Sequence, residues 1–254
     1  MNKVRAKKYL GQHFLNDQNI AQKIVRSLDY SHNCSNVLEI GPGMGVLTQY
    51  LIKKEIQLKV IEIDKESVDY LNEKYPELEV IEGDFLNIEL NRYYDDKLLI
   101  MGNFPYNISS QIFFKVLDNR NKVMEVVGML QKEVAERISA PPGNKTYGIL
   151  SVLLKTFYDI EYLFSVPPQV FSPPPKVQSA VIRLKRNKVE NLDCDEKLFF
   201  KVVKQAFQTR RKKLRNALKT LNLSGPVTQS GLLEKRAEEL SVADFVELTK
   251  MIQG

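Results

Sequence analysis

Between residues 36 and about 186 the chain alternates apolar, strand-like runs with helix-like segments, and the first run leads directly into a glycine loop. Val37-Leu38-Glu39-Ile40 reads as a strand, Gly41-Pro42-Gly43-Met44-Gly45 as the loop, and residues 46–54 as a helix. Further strands are expected at 58–63, 79–81, 98–102 and 123–130, with helices at 65–75, 109–117 and 148–157. Runs at 162–166 and 177–184 read as a closing antiparallel pair. Such alternation commits the chain to an α/β, doubly wound, Rossmann-like domain with a mostly parallel seven-stranded sheet. It also puts the glycine loop where open α/β sheets bind ligands.

After Arg186 the pattern changes. Residues 197–207, 210–221, 232–240 and 242–252 read as helices, the last opened by a capping box of Ser241 and Asp244. A boundary near 187–191 divides the chain into an α/β domain over 1–188 and a small all-helical domain over 189–254.

The chain has 254 residues, with two cysteines (Cys34 and Cys194) and two histidines (His13 and His32). These argue against a disulfide framework, a zinc site or a histidine-based triad, and no metal is expected. No apolar run is long enough to span a bilayer, and the first residues lack a signal-peptide core. A cytoplasmic protein with reduced thiols, as a monomer, is the expectation. The net charge of +6 is unevenly spread. Nine basic residues and no acid fall between 197 and 233, and four basic residues and no acid in the first sixteen. Two single-signed zones suit a polyanion, and a nucleic acid is the expected partner.

The glycine loop departs from the dinucleotide fingerprint, because its third glycine comes one residue early. An acid, Glu39, precedes it, and no basic residue awaits a pyrophosphate. Glu62 ends the second strand, where it could accept from both hydroxyls of a ribose. Asp84 follows the third strand, within reach of an adenine amino group. Three carboxylates around one glycine loop fit S-adenosylmethionine, which carries a sulfonium, an ammonium and a ribose but no phosphate.

Asn103-Phe104-Pro105-Tyr106 follows the apolar run Leu98-Leu99-Ile100-Met101. A side-chain carbonyl, a forced turn and a flat ring together suit a nucleobase amino group. The same residues also make an ordinary turn after a strand.

The sequence resembles the ribosomal RNA adenine N6-dimethyltransferases along nearly its whole length. The resemblance is carried by Leu10-Gly11-Gln12-His13-Phe14-Leu15-Asn16-Asp17, by Glu39-Ile40-Gly41-Pro42-Gly43 and by Asn103-Phe104-Pro105-Tyr106-Asn107-Ile108-Ser109. It continues in Val170-Phe171-Ser172-Pro173-Pro174-Pro175-Lys176-Val177-Gln178-Ser179-Ala180-Val181 and in Phe207-Gln208-Thr209-Arg210-Arg211-Lys212-Lys213-Leu214-Arg215-Asn216. Within the family it points to the bacterial branch that dimethylates two adjacent adenines near the 3′ end of 16S rRNA, in a small-subunit precursor. It implies cofactor contacts at His13, Leu15, Gly41, Glu62, Asp84 and Asn103. It implies a catalytic group of Asn103, Phe104, Pro105 and Tyr106, with Phe171 stacking on the flipped base. RNA phosphates then fall to Arg210, Arg211, Lys212, Lys213 and Arg215, with the N-terminal lysines. Phe104 stands where the family often has leucine, which is expected to alter only the pocket lining.

The rival readings are the related large-subunit enzyme that confers antibiotic resistance and a non-catalytic assembly factor with the same fold. Gly11-Gln12-His13-Phe14-Leu15 and the long basic segment favour the small-subunit enzyme. Intact Asn103, Tyr106, Glu62 and Asp84 argue against loss of catalysis. An NAD-dependent oxidoreductase is disfavoured by the glycine spacing.

Overall fold

Leu98-Leu99-Ile100-Met101 is apolar at every position because its strand is buried on both faces, as central parallel strands are. The computed structural model describes residues 4–29, 34–221, 223 and 225–253; Lys3 and His32 lie outside them. Its elements are, in order, β1 (Phe14–Leu15), α1 (Gln18–Arg26), β2 (Asn36–Ile40), α2 (Thr48–Leu51), β3 (Gln57–Glu62), α3 (Lys65–Lys74) and β4 (Glu79–Glu82). Next come β5 (Leu98–Asn103), α4 (Ser109–Asp118), β6 (Val123–Gln131), α5 (Lys132–Ser139), α6 (Ile149–Phe157), β7 (Tyr158–Val166), β8 (Phe171–Ser172) and β9 (Ser179–Arg186). The last helices are α7 (Glu196–Gln208), α8 (Leu214–Ala217) and α9 (Val242–Gln253).

Seven strands form one sheet in the order β4-β3-β2-β5-β6-β9-β7, and β1 pairs separately with β8. β4, β3, β2, β5 and β6 run parallel, while β9 lies antiparallel to β6. The chain moves outward from β2 in one direction through β3 and β4, then returns to its other side at β5. The crevice at the ends of β2 and β5 is therefore the switch point of the fold.

The two-stranded β1–β8 ribbon and α1 were not expected from the sequence. Asp17 caps α1 by accepting from the backbone amides of Asn19 and Ile20, both at 2.9 Å. Ala21, Ile24 and Val25 of its buried face join a core cluster with Leu15, Val37, Leu47, Met101 and Phe171.

The chain divides into two compact units. One runs through Ala135 and resumes over Ile160–Arg186; the other comprises Glu136–Asp159 and the residues from Asn187 onward. The segment 136–159, expected with the sheet, groups with the C-terminal helices because α6 packs against α7 and α9. Two expected helices are broken. Residues 210–221 supply only α8 and a 3-10 turn at Lys219–Leu221, and 232–240 becomes two 3-10 turns. Lys213 adopts an extended backbone and bridges Arg236, which ends helical continuity on both segments. The Ser241 capping box is present, with Asp244 Oδ2 accepting from Ser241 N at 2.8 Å and Ser241 Oγ from Asp244 N at 3.1 Å.

Candidate active site

The glycine loop is held from below by an acid. Glu62, at the end of β3, accepts at Oε2 from Gly43 N (3.0 Å) and at Oε1 from Ile63 N and Asp64 N (both 2.9 Å). Burial pushes its carboxyl above the ordinary range, and the three amides partly offset that. Gly43 has φ of +57°, and a Cβ there would stand 2.8 Å from the Phe14 ring. The loop thus needs glycine both for its backbone and for the aromatic lying on it.

Glu39, at the end of β2, is fully buried and accepts from Thr48 Oγ1 at 2.6 Å. Burial raises its carboxyl to about 8, with the Thr48 hydrogen bond opposing and the nearby Glu62 charge adding.

Asn103 ends β5 beside this loop: a Cβ on Gly41 would lie 3.9 Å from Asn103 O and 3.8 Å from Pro105 Cδ. Its amide nitrogen donates to the backbone carbonyl of His13 at 2.8 Å. His13 in turn donates from Nδ1 to Pro173 O at 2.8 Å, and its ring lies 5.3 Å from that of Tyr106. The Tyr106 hydroxyl meets Ser179 Oγ at 2.5 Å. An N-terminal strap, the end of β5 and the segment before β9 are so tied together.

Two adjoining cavities share Phe14, Gly41 and Asn103 as walls. Among the described residues, the smaller, about 50 Å³, is lined by Leu10–Phe14, Gly41, Gly43, Glu62, Ile63 and 103–106, with no lysine or arginine. The larger, about 260 Å³, adds Leu15, Glu39, Met44, Tyr70 and Lys74 among others. His13, Leu15, Gly41, Glu62, Asn103, Phe104, Pro105 and Tyr106 are therefore brought together. Gln12, Phe14 and Ile63 join them without having been singled out, although Gln12 and Phe14 lie inside a motif quoted above.

Three expected site residues sit differently. Asp84 lines neither cavity; it accepts from Leu86 N (2.9 Å) and Asn87 Nδ2 (2.8 Å), closing its own turn. Phe171 is 3% exposed and packs in the core cluster, paired through β8 with Leu15, so no stacking face is offered in this conformation. Phe104 touches the cavity but is 1% exposed, with its ring turned into the sheet. Gly102 and Gly128 are cross-strand partners, and a Cβ on Gly128 would come within 2.4 Å of that ring. The ring of this larger side chain fills that slot, while the residue also lines the smaller cavity.

The basic segment is also partly committed. Arg210 Nη2 donates to Lys145 O and Tyr147 O, both at 2.6 Å, while Lys213 and Arg215 pair with Glu234 at 2.9 and 2.5 Å. Hydrogen bonds from Lys213 and Arg215 hold the Glu234 carboxyl below its usual range. Arg211 and Lys212 are exposed.

A family model described as ribosomal RNA adenine dimethylase matches residues 3–254. The "Ribosomal RNA small subunit methyltransferase A" of Cytophaga hutchinsonii is 61% identical over the full length of both chains. Among solved structures, a dimethyladenosine transferase from Plasmodium falciparum superposes with a TM-score of 0.76 at 28% identity, covering 93% of this chain and 96% of that one. The 23S rRNA methyltransferase ErmE shares the fold, with a TM-score of 0.69 at 24% identity over 93% of this chain and 99% of its own. With a match that spans the chain, and with the glycine loop and the Asn103 motif meeting at the switch point, this protein belongs to the ribosomal RNA adenine dimethylase family.

Proposed function

We infer that the protein transfers methyl groups from S-adenosylmethionine to the exocyclic N6 of two adjacent adenines near the 3′ end of 16S rRNA, during small-subunit biogenesis. The observation that carries this reading is Asn103, fixed through its amide nitrogen in the wall of a cavity that Gly41 and Glu62 also line.

The donor set fits the cofactor: two buried carboxylates, Glu39 and Glu62, face a glycine loop, and the smaller cavity carries no cation among the described residues. Glu62 Oε2 accepts one amide, which leaves lone-pair capacity for a ribose hydroxyl. Glu39 suits a positive charge, since a cation beside it favours the ionised carboxylate that burial disfavours. His13, Leu15 and Gly41 complete the proposed set; Asp84 would need to turn from its present partners to join it. When bound, S-adenosylmethionine supplies an electrophilic methyl group on a sulfonium.

The protein's part is positioning. Adenine N6 is a poor nucleophile because its lone pair is delocalised into the ring. With Nδ2 committed to His13 O, Asn103 presents Oδ1 as an acceptor for one amino hydrogen. The second acceptor is the backbone carbonyl of Phe104 or of Pro105, the latter already accepting from Ile108 N at 3.2 Å. Holding both hydrogens turns the lone pair out of conjugation and toward the crevice. Tyr106 offers its ring to the base, stacking being worth ~1–3 kcal/mol against an extrusion cost of a few. Exposed Arg211 and Lys212 are the first candidates for phosphates, with Lys213 and Arg215 available once Glu234 is displaced.

The test is methyl transfer from labelled cofactor to unmethylated small subunits, large subunits and naked rRNA, with the modified nucleotide mapped. Label in adjacent adenines of the small-subunit RNA is the expected result. Label confined to large subunits overturns the substrate, and no transfer to any RNA leaves only a role in assembly.

A further inference from the structure

A short 3-10 turn, Lys8–Leu10, precedes the cavity-lining residues Gly11 and Gln12. It is held at both ends. Leu10 N donates to Lys7 O at 3.1 Å, Gly11 N to Lys8 O at 3.0 Å, and Lys7 N to Gln12 Oε1 at 2.8 Å. Lys7 Nζ pairs with the buried Asp64 and, at 3.3 Å, with Glu66. Gly11, at φ of +65°, lies so close to the loop after Asn103 that a Cβ would stand 2.8 Å from Asn107 Oδ1. The turn is thus an immobilised part of the site's rim.

From this rim Tyr9 projects 77% exposed, while Tyr94 and Tyr147 are buried. Lys8, next to it, and Arg5, four residues before it, are exposed as well. An aromatic ring displayed by a rigid turn, with two exposed cations on the same short N-terminal stretch and a cavity beside it, has the makings of a nucleic-acid contact. Drawing one adenine into the Asn103 site leaves its neighbour in the strand with an uncovered face. We propose that Tyr9 stacks on this neighbouring base, with Arg5 and Lys8 on the flanking phosphates. The proposal rests on the RNA-methylating reading above. Stacking is indifferent to base identity, so Tyr9 would seat the strand without choosing its sequence.

Two measurements with the full-length protein test it. In methyl transfer to unmethylated small subunits, Tyr9→Ala should raise KM by roughly 5- to 150-fold, the factor equivalent to ~1–3 kcal/mol of stacking, with kcat little affected. Tyr9→Phe should restore the wild-type KM. The chain has no tryptophan, so Tyr9→Trp gives a single reporter. Its emission should be quenched by single-stranded oligoadenylate and not by an abasic strand of equal charge. An unchanged KM in Tyr9→Ala, or equal quenching by the abasic strand, overturns the proposal. If the wild type methylates no RNA, the reaction assigned above fails, and quenching by oligoadenylate alone still decides for or against the stacking contact.

Discussion

The amide nitrogen of Asn103 donates to the backbone carbonyl of His13 at 2.8 Å, joining residues ninety positions apart. Because a carbonyl can only accept, this contact leaves Asn103 Oδ1 as the group available to a substrate amine. Asn103→Ala should lower kcat for methyl transfer by ~10²–10³-fold, the usual cost of losing one positioned polar group, and leave RNA affinity nearly intact. Asn103→Asp keeps the shape but sets a carboxylate oxygen against His13 O. It should lose activity and also lower the melting temperature. Single-turnover transfer and filter binding check both variants, and an active Asn103→Ala enzyme would refute the assigned role.

The Phe104 ring fills the slot between Gly102 and Gly128. Gly128→Ala should destabilise the protein by ~1–3 kcal/mol through overpacking, and Phe104→Leu in the same chain should recover most of the loss. Gly102→Ala should not be rescued, since its Cβ would also come within 2.4 Å of the Ile40 carbonyl. Denaturant midpoints of the wild type, Phe104→Leu, the two glycine variants and the two double variants measure the coupling.

Glu39 is raised from 4.5 to about 8 by burial, so the folded state holds its proton more tightly than the unfolded chain does. Its stabilising contribution is complete below about 4.5 and is lost as pH rises through about 8. Glu39→Gln stays neutral throughout and can still accept from Thr48. Relative to the wild type, it should gain on the order of 1–4 kcal/mol between pH 5 and pH 8. A difference that stays flat across this range would contradict the buried, protonated acid.

Arg210 and its neighbours should separate cleanly. Arg210→Ala strips hydrogen bonds from the Lys145 and Tyr147 carbonyls and should cost ~1.5–3 kcal/mol of stability. Arg211→Ala and Lys212→Ala should leave the melting temperature in place. Each should instead weaken RNA binding and reduce the salt-dependence slope by about 1. Thermal melts and a salt titration of RNA affinity distinguish the two classes.

The strand runs, the glycine loop and the Asn103 motif were legible because each is a local pattern. Continuous apolar residues follow from a strand buried on both faces, and Gly-Pro-Gly from a backbone that must turn sharply. Charge was less legible. The acid-free stretch 197–233 looks unpaired, yet the next residue, Glu234, folds back onto Lys213 and Arg215. Lys7, in an acid-free N-terminus, finds Asp64. Ion pairs form between residues far apart in sequence, so a window of composition does not register them.

The linear sequence was enough to determine the doubly wound sheet, the family and the two motifs at the switch point. Periodicity and turn chemistry are properties of neighbouring residues, and they survive in the chain as written. Only the tertiary structure decided which expected site residues face the cavity. Phe171 and Asp84 carry the right chemistry but are occupied elsewhere, one in the core and one in its own turn. Phe104 turns inward because two glycines on adjacent strands make room for it. Where a side chain points depends on the volume left by residues brought beside it through folding, and no stretch of sequence contains that volume.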